Sequence, residues 1–281
     1  MLILSRSGIQ APLWAAILLS LSSITQAQPA SSPAYPDWSG QWNRIGGLSY
    51  PPEGYAEAGP PPLTPEYQAI WERYQAIKAE GGGPAGDPPS LCLPPGMPRL
   101  MTMSFPMEII VTPGITYIYG EWDSQFRRVY TDGRQWSDDL EIIPNFNGYS
   151  IGEWRDDVGD GRYDAILIET RAIEGERSFD SSSVPLHENN STVVLEEMRL
   201  VDDATLENRI TTIDDALTRP WTVNRRYSRL TEDVQWVEYV CVENNRHIRI
   251  DDEWYFVNRR EGVLEPTRQG QPGLVPDVGA P

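Results

Sequence analysis

The chain has 281 residues, of which 40% are hydrophobic, with 10 tryptophans and 13 tyrosines, so it holds enough apolar mass for a large core and its body is not disordered. It carries 41 acidic against 23 basic residues, a formal net charge of −18. That field repels phosphate backbones, so no nucleic-acid partner is expected, and the acidity reads as solubility outside the cytoplasm rather than cation binding.

Met1 to Ala27 carries one charge, Arg6, an apolar run around Leu13 to Leu21 and a small-residue finish at Thr25-Gln26-Ala27. This is the pattern of a secretory signal peptide. The run is shorter than the roughly 20 residues of a membrane span, and no cysteine follows the cut. A periplasmic or secreted protein with no membrane span after signal removal is therefore expected. Residues 28–62 read as an extended Pro-rich lead-in that includes the first strand at Asp37-Trp38-Ser39-Gly40-Gln41-Trp42. Gly-x-Trp at a strand opening resembles lipocalin-like barrels, in which the indole closes the narrow end. Thr64-Pro65-Glu66 then supplies an N-cap, a first-turn proline and an early acid, which predicts a helix over 65–79. Tyr67, Ile70, Trp71, Tyr74 and Ile77 give it an apolar stripe, and Gly81-Gly82-Gly83 ends it.

Cys92 and Cys241 are the only cysteines. In an oxidising compartment they are expected to pair, closing a loop worth on the order of 4 to 5 kcal/mol in the chain-entropy model.

From Pro106 to Thr170 strand-like segments follow one another with short turns: Met107 to Val111, Ile115 to Glu121, Phe126 to Tyr130, Gly148 to Trp154 and Tyr163 to Thr170. Thr192 to Val201 with Thr205 to Asp214 predicts a second hairpin, and Pro220 to Arg229 with Val234 to Val240 a third. The fold class is mainly β: an antiparallel up-and-down barrel, lipocalin-like, of about eight to ten strands with one N-terminal helix, occupying 63–262 and leaving an internal cavity. The acidic turn Arg155 to Gly161 fails the calcium-loop pattern, with Val158 and Leu167 where oxygen ligands belong. Arg171 to Asn190, containing His187 beside Glu188, is a polar insertion of the kind that serves as a lid or binding loop. The segment after Cys241 reads as helical or irregular, and Val263 to Pro281 as a flexible tail.

Chemistry enters by elimination. There is no Gly-x-Ser-x-Gly, and Ser181 to Ser183 sit where serine is simply common. His187 and His247 stand too far apart in sequence to form a recognisable zinc set. The methionines at 97, 101, 103 and 107 read as packing rather than copper ligands, and no dinucleotide or phosphate-loop fingerprint occurs. No metal and no cofactor are expected. What remains is acid–base work in the cavity. His187 titrates near neutrality in its unperturbed state; Asp132, Tyr130 and Arg128 complete the candidate catalytic group, with Arg128 and Tyr130 on one strand face. Arg134, Trp122, Trp136 and Trp154 are the candidate substrate-binding residues. The leading expectation is an exported cofactor-independent lyase or isomerase acting on a hydrophobic or aromatic small molecule. The alternative is a lipocalin-like carrier using the same cavity without turnover.

Asp37 to Trp42, Cys92 to Arg99, Glu108 to Pro113, Arg127 to Arg134, Gly148 to Trp154, Pro220 to Val223 and Glu238 to Cys241 together resemble a widespread, largely uncharacterised family of exported bacterial proteins. Its marks are D-W-S-G-x-W, C-x-P-P-G-M-P-R, E-I-x-x-T-P, R-R-x-Y-T-D-G-R, G-x-S-I-G-x-W, P-W-T-V and E-Y-V-C, in that order. The resemblance implies export and a β architecture. The chain departs from the family pattern in an inserted Asp-Gly turn between Trp154 and Thr170, and in His187, displaced by one position.

Overall fold

The structure is a computed structural model that describes residues 34–46, 58–81, 85–232, 234–237, 239–244, 246–251, 253–258, 260–267 and 270–274. The expected signal peptide and residues 28–33 and 47–57 of the Pro-rich lead-in lie outside the described residues.

Nine strands close into one barrel in chain order: β1 Gln41–Arg44, β2 Met107–Thr112, β3 Ile115–Gly120, β4 Gln125–Tyr130, β5 Tyr149–Arg155, β6 Ala165–Arg171, β7 Val193–Asp202, β8 Thr205–Ile213 and β9 Trp221–Arg229. Helix α1, Pro65–Ala79, lies between β1 and β2 in the chain, begun by Thr64, whose side chain accepts from the Tyr67 amide. The mainly β barrel with one long helix is the architecture that the strand and cap patterns predict.

One junction differs from an up-and-down arrangement. β4 and β5 pair in parallel, with Val129 opposite Ser150 and Tyr130 opposite Ile151, so the barrel is mixed. Parallel neighbours cannot be joined by a tight turn. Residues 131–148 must therefore travel back along the barrel, and they carry Arg134 and Trp136 over its outer wall.

Inside, the strands alternate with period two. β8 buries Leu206, Asn208, Ile210 and Thr212, and β9 buries Trp221, Val223, Arg225 and Tyr227. The sequence predicts an internal cavity; large inward side chains, including Trp42, Ile109, Ile118, Ile166 and Trp221, occupy that space instead. Gly152 faces in because a Cβ there would stand 2.7 Å from a Val129 methyl.

The core also contains ions. Arg127, 2% exposed, donates to Ser150 Oγ at 3.1 Å and Thr170 Oγ1 at 2.9 Å, and pairs with both oxygens of Glu196. Asn208 donates to Glu196 Oε1 at 2.8 Å. A second buried pair joins Arg225 to Asp180 at 3.0 Å. Such pairs persist in a low-dielectric core when their remaining hydrogen-bonding groups are met, and Ser150, Thr170 and Asn208 do that for Arg127 and Glu196.

Both ends are stoppered. At one, Trp42 Nε1 donates to Trp38 O at 3.0 Å, Trp38 packs at a tilt 4.9 Å from Trp154, and the Arg229 guanidinium sits 4.4 Å above the Trp42 ring. At the other, the insertion between β6 and β7 folds inward: Phe179 packs 4.7 Å from Trp221, and Val184 and Leu186 are buried. Helix α1 covers this plug, Trp71 Nε1 and Gln75 Nε2 donating to Ser182 O at 3.1 and 2.7 Å.

After β9 the structure corrects the sequence reading in three places. The described residues of 234–240 form no strand, because side chains replace the ladder: Gln41 exchanges two bonds with the Val234 backbone at 2.8 and 2.9 Å, and Trp236 Nε1 donates to Glu108 at 3.2 Å. Cys241 opens a short helix, α2 Cys241–Asn244, and is bonded to Cys92 with the two Cα atoms 5.4 Å apart. Beyond it β10 His247–Ile250, β11 Glu253–Asn258 and β12 Val263–Pro266 form a separate three-stranded sheet. The barrel thus ends at Arg229, and the start of the expected tail is a strand, with Leu264 and Leu274 exchanging backbone bonds at 2.8 and 3.1 Å. Among the described residues no helix is long and apolar enough to cross a membrane.

Candidate functional site

A concavity of about 630 Å³ lies on the outer face of β5 to β8. The alternation that sends Ser150, Thr170 and Glu196 inward sends Ile151, Leu167 and Leu195 outward, and these three form its apolar floor. Glu153, Glu169, Glu197 and Arg209 stand around them.

One wall is aromatic. Ala34 pairs with the β5–β6 hairpin, its amide donating to Gly161 O and its carbonyl accepting from Tyr163 N, both at 2.9 Å. This brings the Tyr35 ring to 5.6 Å from Trp154 and 5.2 Å from Tyr163. The hairpin that supports it is closed by the Asp156 carboxylate, which accepts from the amides of Gly159, Asp160 and Gly161 at 2.7, 3.1 and 2.9 Å.

The facing wall is the returning segment 131–148. Asp132 holds the Arg134 guanidinium by two bonds, at 2.8 Å to Oδ1 and 2.6 Å to Oδ2. Arg134 Nη1 also donates to the Tyr149 hydroxyl, and its guanidinium lies 3.8 Å above the Tyr130 ring, which stacks on Tyr149 at 4.9 Å. Hydrogen bonds from Arg134 push the Asp132 carboxyl from an ordinary 3.8 down to about 2, and the reciprocal bond to Asp132 raises Arg134. Trp136 is fixed between Tyr149, 6.0 Å away edge to face, and the Arg171 guanidinium, 4.6 Å above its ring. Two residues at the cleft, Trp154 and Thr131, each have a buried polar atom, Nε1 and Oγ1, with no hydrogen-bond partner among the described residues. The arrangement offers a slot for a planar apolar body, a fixed cation at one side and spare polar atoms at the base.

Of the sequence-predicted site residues, Arg134, Trp136 and Trp154 meet here, with Asp132 and Tyr130 just behind Arg134. The other three lie elsewhere. Arg128 points out of the barrel, 5.1 Å above Phe126. The inward pair on β4 is Arg127 and Val129, not Arg128 and Tyr130, the reverse of the expected face. Trp122 sits in the turn between β3 and β4, packed at a tilt against Phe105 at 4.8 Å and Tyr239 at 4.5 Å. His187 belongs to the plug between β6 and β7, whereas Asp132 follows the end of β4 at the opposite rim, so the barrel separates them.

The buried Arg127–Glu196–Asn208 group is missing from the sequence reading. Its signal was present: Glu196 shares a strand face with Val194 and Met198, while Leu195 shares one with Glu197 and Arg199. Among the described residues no group of three or more His, Cys, Asp or Glu is placed to hold a metal ion. No protein-family model matches the chain, and no curated protein matches it.

Proposed function

We propose that this is an exported binding protein that holds a hydrophobic or aromatic small molecule in the outer cleft and releases it unchanged. The observation that carries the reading is the cleft itself: an apolar floor between an aromatic wall and a wall fixed by Arg134, within about 630 Å³. That volume falls in the range of small-molecule sites, roughly 300 to 1,000 Å³. Export draws support from the leader pattern, the Cys92–Cys241 bond and the resemblance to exported bacterial proteins. Acid–base catalysis is the weaker reading because His187 and Asp132 do not share a cavity, and a carboxyl held at about 2 is a poor proton acceptor at neutral pH. The test is to titrate the purified protein with aromatic, steroid-like and terpenoid compounds, following tryptophan fluorescence and product masses together. Saturable quenching with every compound recovered intact is the expected result. New masses would overturn the binding reading in favour of a lyase or isomerase.

A further inference from the structure

A second cleft, of about 370 Å³, opens where helix α1 meets the plug between β6 and β7, at the far end from the outer-wall site. Arg177 lines it and is 3% exposed. Its Nε donates to His187 O at 2.9 Å, and its Nη2 donates to His187 O at 2.5 Å and to Asn189 O. Its Nη1 is buried with no hydrogen-bond partner among the described residues. The carboxylates of Asp214, Glu188 and Glu174 lie near enough to favour its charge, but its hydrogen bonds go only to carbonyls and Nη1 stays unmet, a donor that an oxygen anion would satisfy. His187 stands beside it. The Asn189 amide donates to His187 Nδ1 at 3.2 Å, which leaves the ring proton on Nε2 as a second donor.

The remaining charges define what that anion must be attached to. Glu176 is engaged with Arg249 through two bonds of 2.8 Å, whereas Glu188 and Asp251 stand exposed at the rim. Two arginines against three carboxylates leave the lining with an acid in excess, which repels a plain anion. A zwitterion suits it, with a carboxylate on Arg177 and His187 and an ammonium toward Glu188 and Asp251. Between them lie Tyr67, Ile70 and Leu186, an apolar surface for a side chain. Gly86 lets the Tyr74 ring pack directly on the backbone at this wall: at φ +72, any Cβ would come within 2.2 Å of that ring.

We propose that this cleft binds a free α-amino acid with an apolar or aromatic side chain, as a site separate from the outer cleft. The test is calorimetric titration of the purified protein with L-phenylalanine, 3-phenylpropionate and 2-phenylethylamine. L-phenylalanine should saturate one site, and each analogue lacking one charge should bind at least about tenfold more weakly. Glu188→Gln should weaken L-phenylalanine about fivefold and, by removing the excess acid, tighten rather than weaken 3-phenylpropionate. Ile70→Trp, on the half-exposed face of α1, should fill the cleft and abolish binding while leaving fluorescence quenching by outer-cleft ligands intact. The proposal is overturned by absence of saturable heat with L-phenylalanine, by equal affinity for 3-phenylpropionate, or by undiminished binding to Ile70→Trp.

Discussion

Along β4, Arg127 turns into the barrel and Arg128 turns out; along β7, Glu196 turns in and Glu197 turns out. Neighbours of the same chemical type meet opposite fates one pleat apart. The inner members find each other, are wrapped by Ser150, Thr170 and Asn208, and tie five strands, β4 to β8, together. The outer members stay at the surface: Arg128 lies over the Phe126 ring, and Glu197 meets Arg199 on its own strand and Arg209 at 3.8 Å across from it. Exposed pairs of this kind contribute at most about 1 kcal/mol. The inner face therefore specifies the barrel, and the outer face is free to vary and to bind.

The largest effect that could break this contrast is on the inner pair. Glu196→Gln should destabilise the protein by about 3 to 5 kcal/mol, because Arg127 would be left charged in the core. Glu197→Gln should cost less than about 0.5 kcal/mol. Urea unfolding of the two variants reads the difference, and equal midpoints would remove it. Next is the covalent strap: replacing Cys92 and Cys241 by serine should cost about 2 to 5 kcal/mol in the same assay. Gly152→Ala should cost about 1 to 3 kcal/mol by overpacking against Val129 and Ile166.

These residues also mark what was legible in the sequence. Strand positions from β2 to β9, the helix and the cysteine pairing followed from local patterns: alternation, turn residues, a capped proline and two lone thiols. The direction of each face did not follow so simply. On β4 the face of Phe126 and Tyr130 is the more aromatic, yet it is the outer one, because closure of the barrel rather than local hydrophobicity decides which side is enclosed. The parallel β4–β5 pair was hidden for a related reason: nothing in residues 131–148 states which way the next strand will run. The cleft depends on that return, so three of its residues could be named from sequence while its location on the outer wall could not. Glu253–Asn258, read as helical or irregular, is rich in the aromatic and β-branched residues that favour strands, and it forms the centre of the second sheet.

On the outer face the effects should be on affinity rather than stability. Trp136→Ala should weaken binding of an aromatic ligand about tenfold, the loss of one stacked indole, with a stability change below about 1 kcal/mol. The smallest effect concerns pH. The Asp132 carboxyl is depressed from 3.8 to about 2 in the folded protein, so its contribution is fully present above about pH 4 and is lost as pH falls through about 2. Ligand affinity, which depends on the folded protein alone, should be insensitive to Asp132 from neutrality down to about pH 3 and decline as pH falls through about 2 and Arg134 loses its anchor. A decline centred near pH 6 would place the controlling group elsewhere.

The most direct test of the outer-wall site is a fluorescence titration of Leu195→Trp beside the wild type, with product masses taken from the same samples. Leu195 lies on the cleft floor and is 37% exposed, so the larger ring should fill the site without disturbing the barrel. The predicted result is saturable quenching and unchanged compound in the wild type, with binding lost in the variant at an unchanged unfolding midpoint. Equal affinity in both proteins would contradict the account, since the ligand would then be bound somewhere other than this wall.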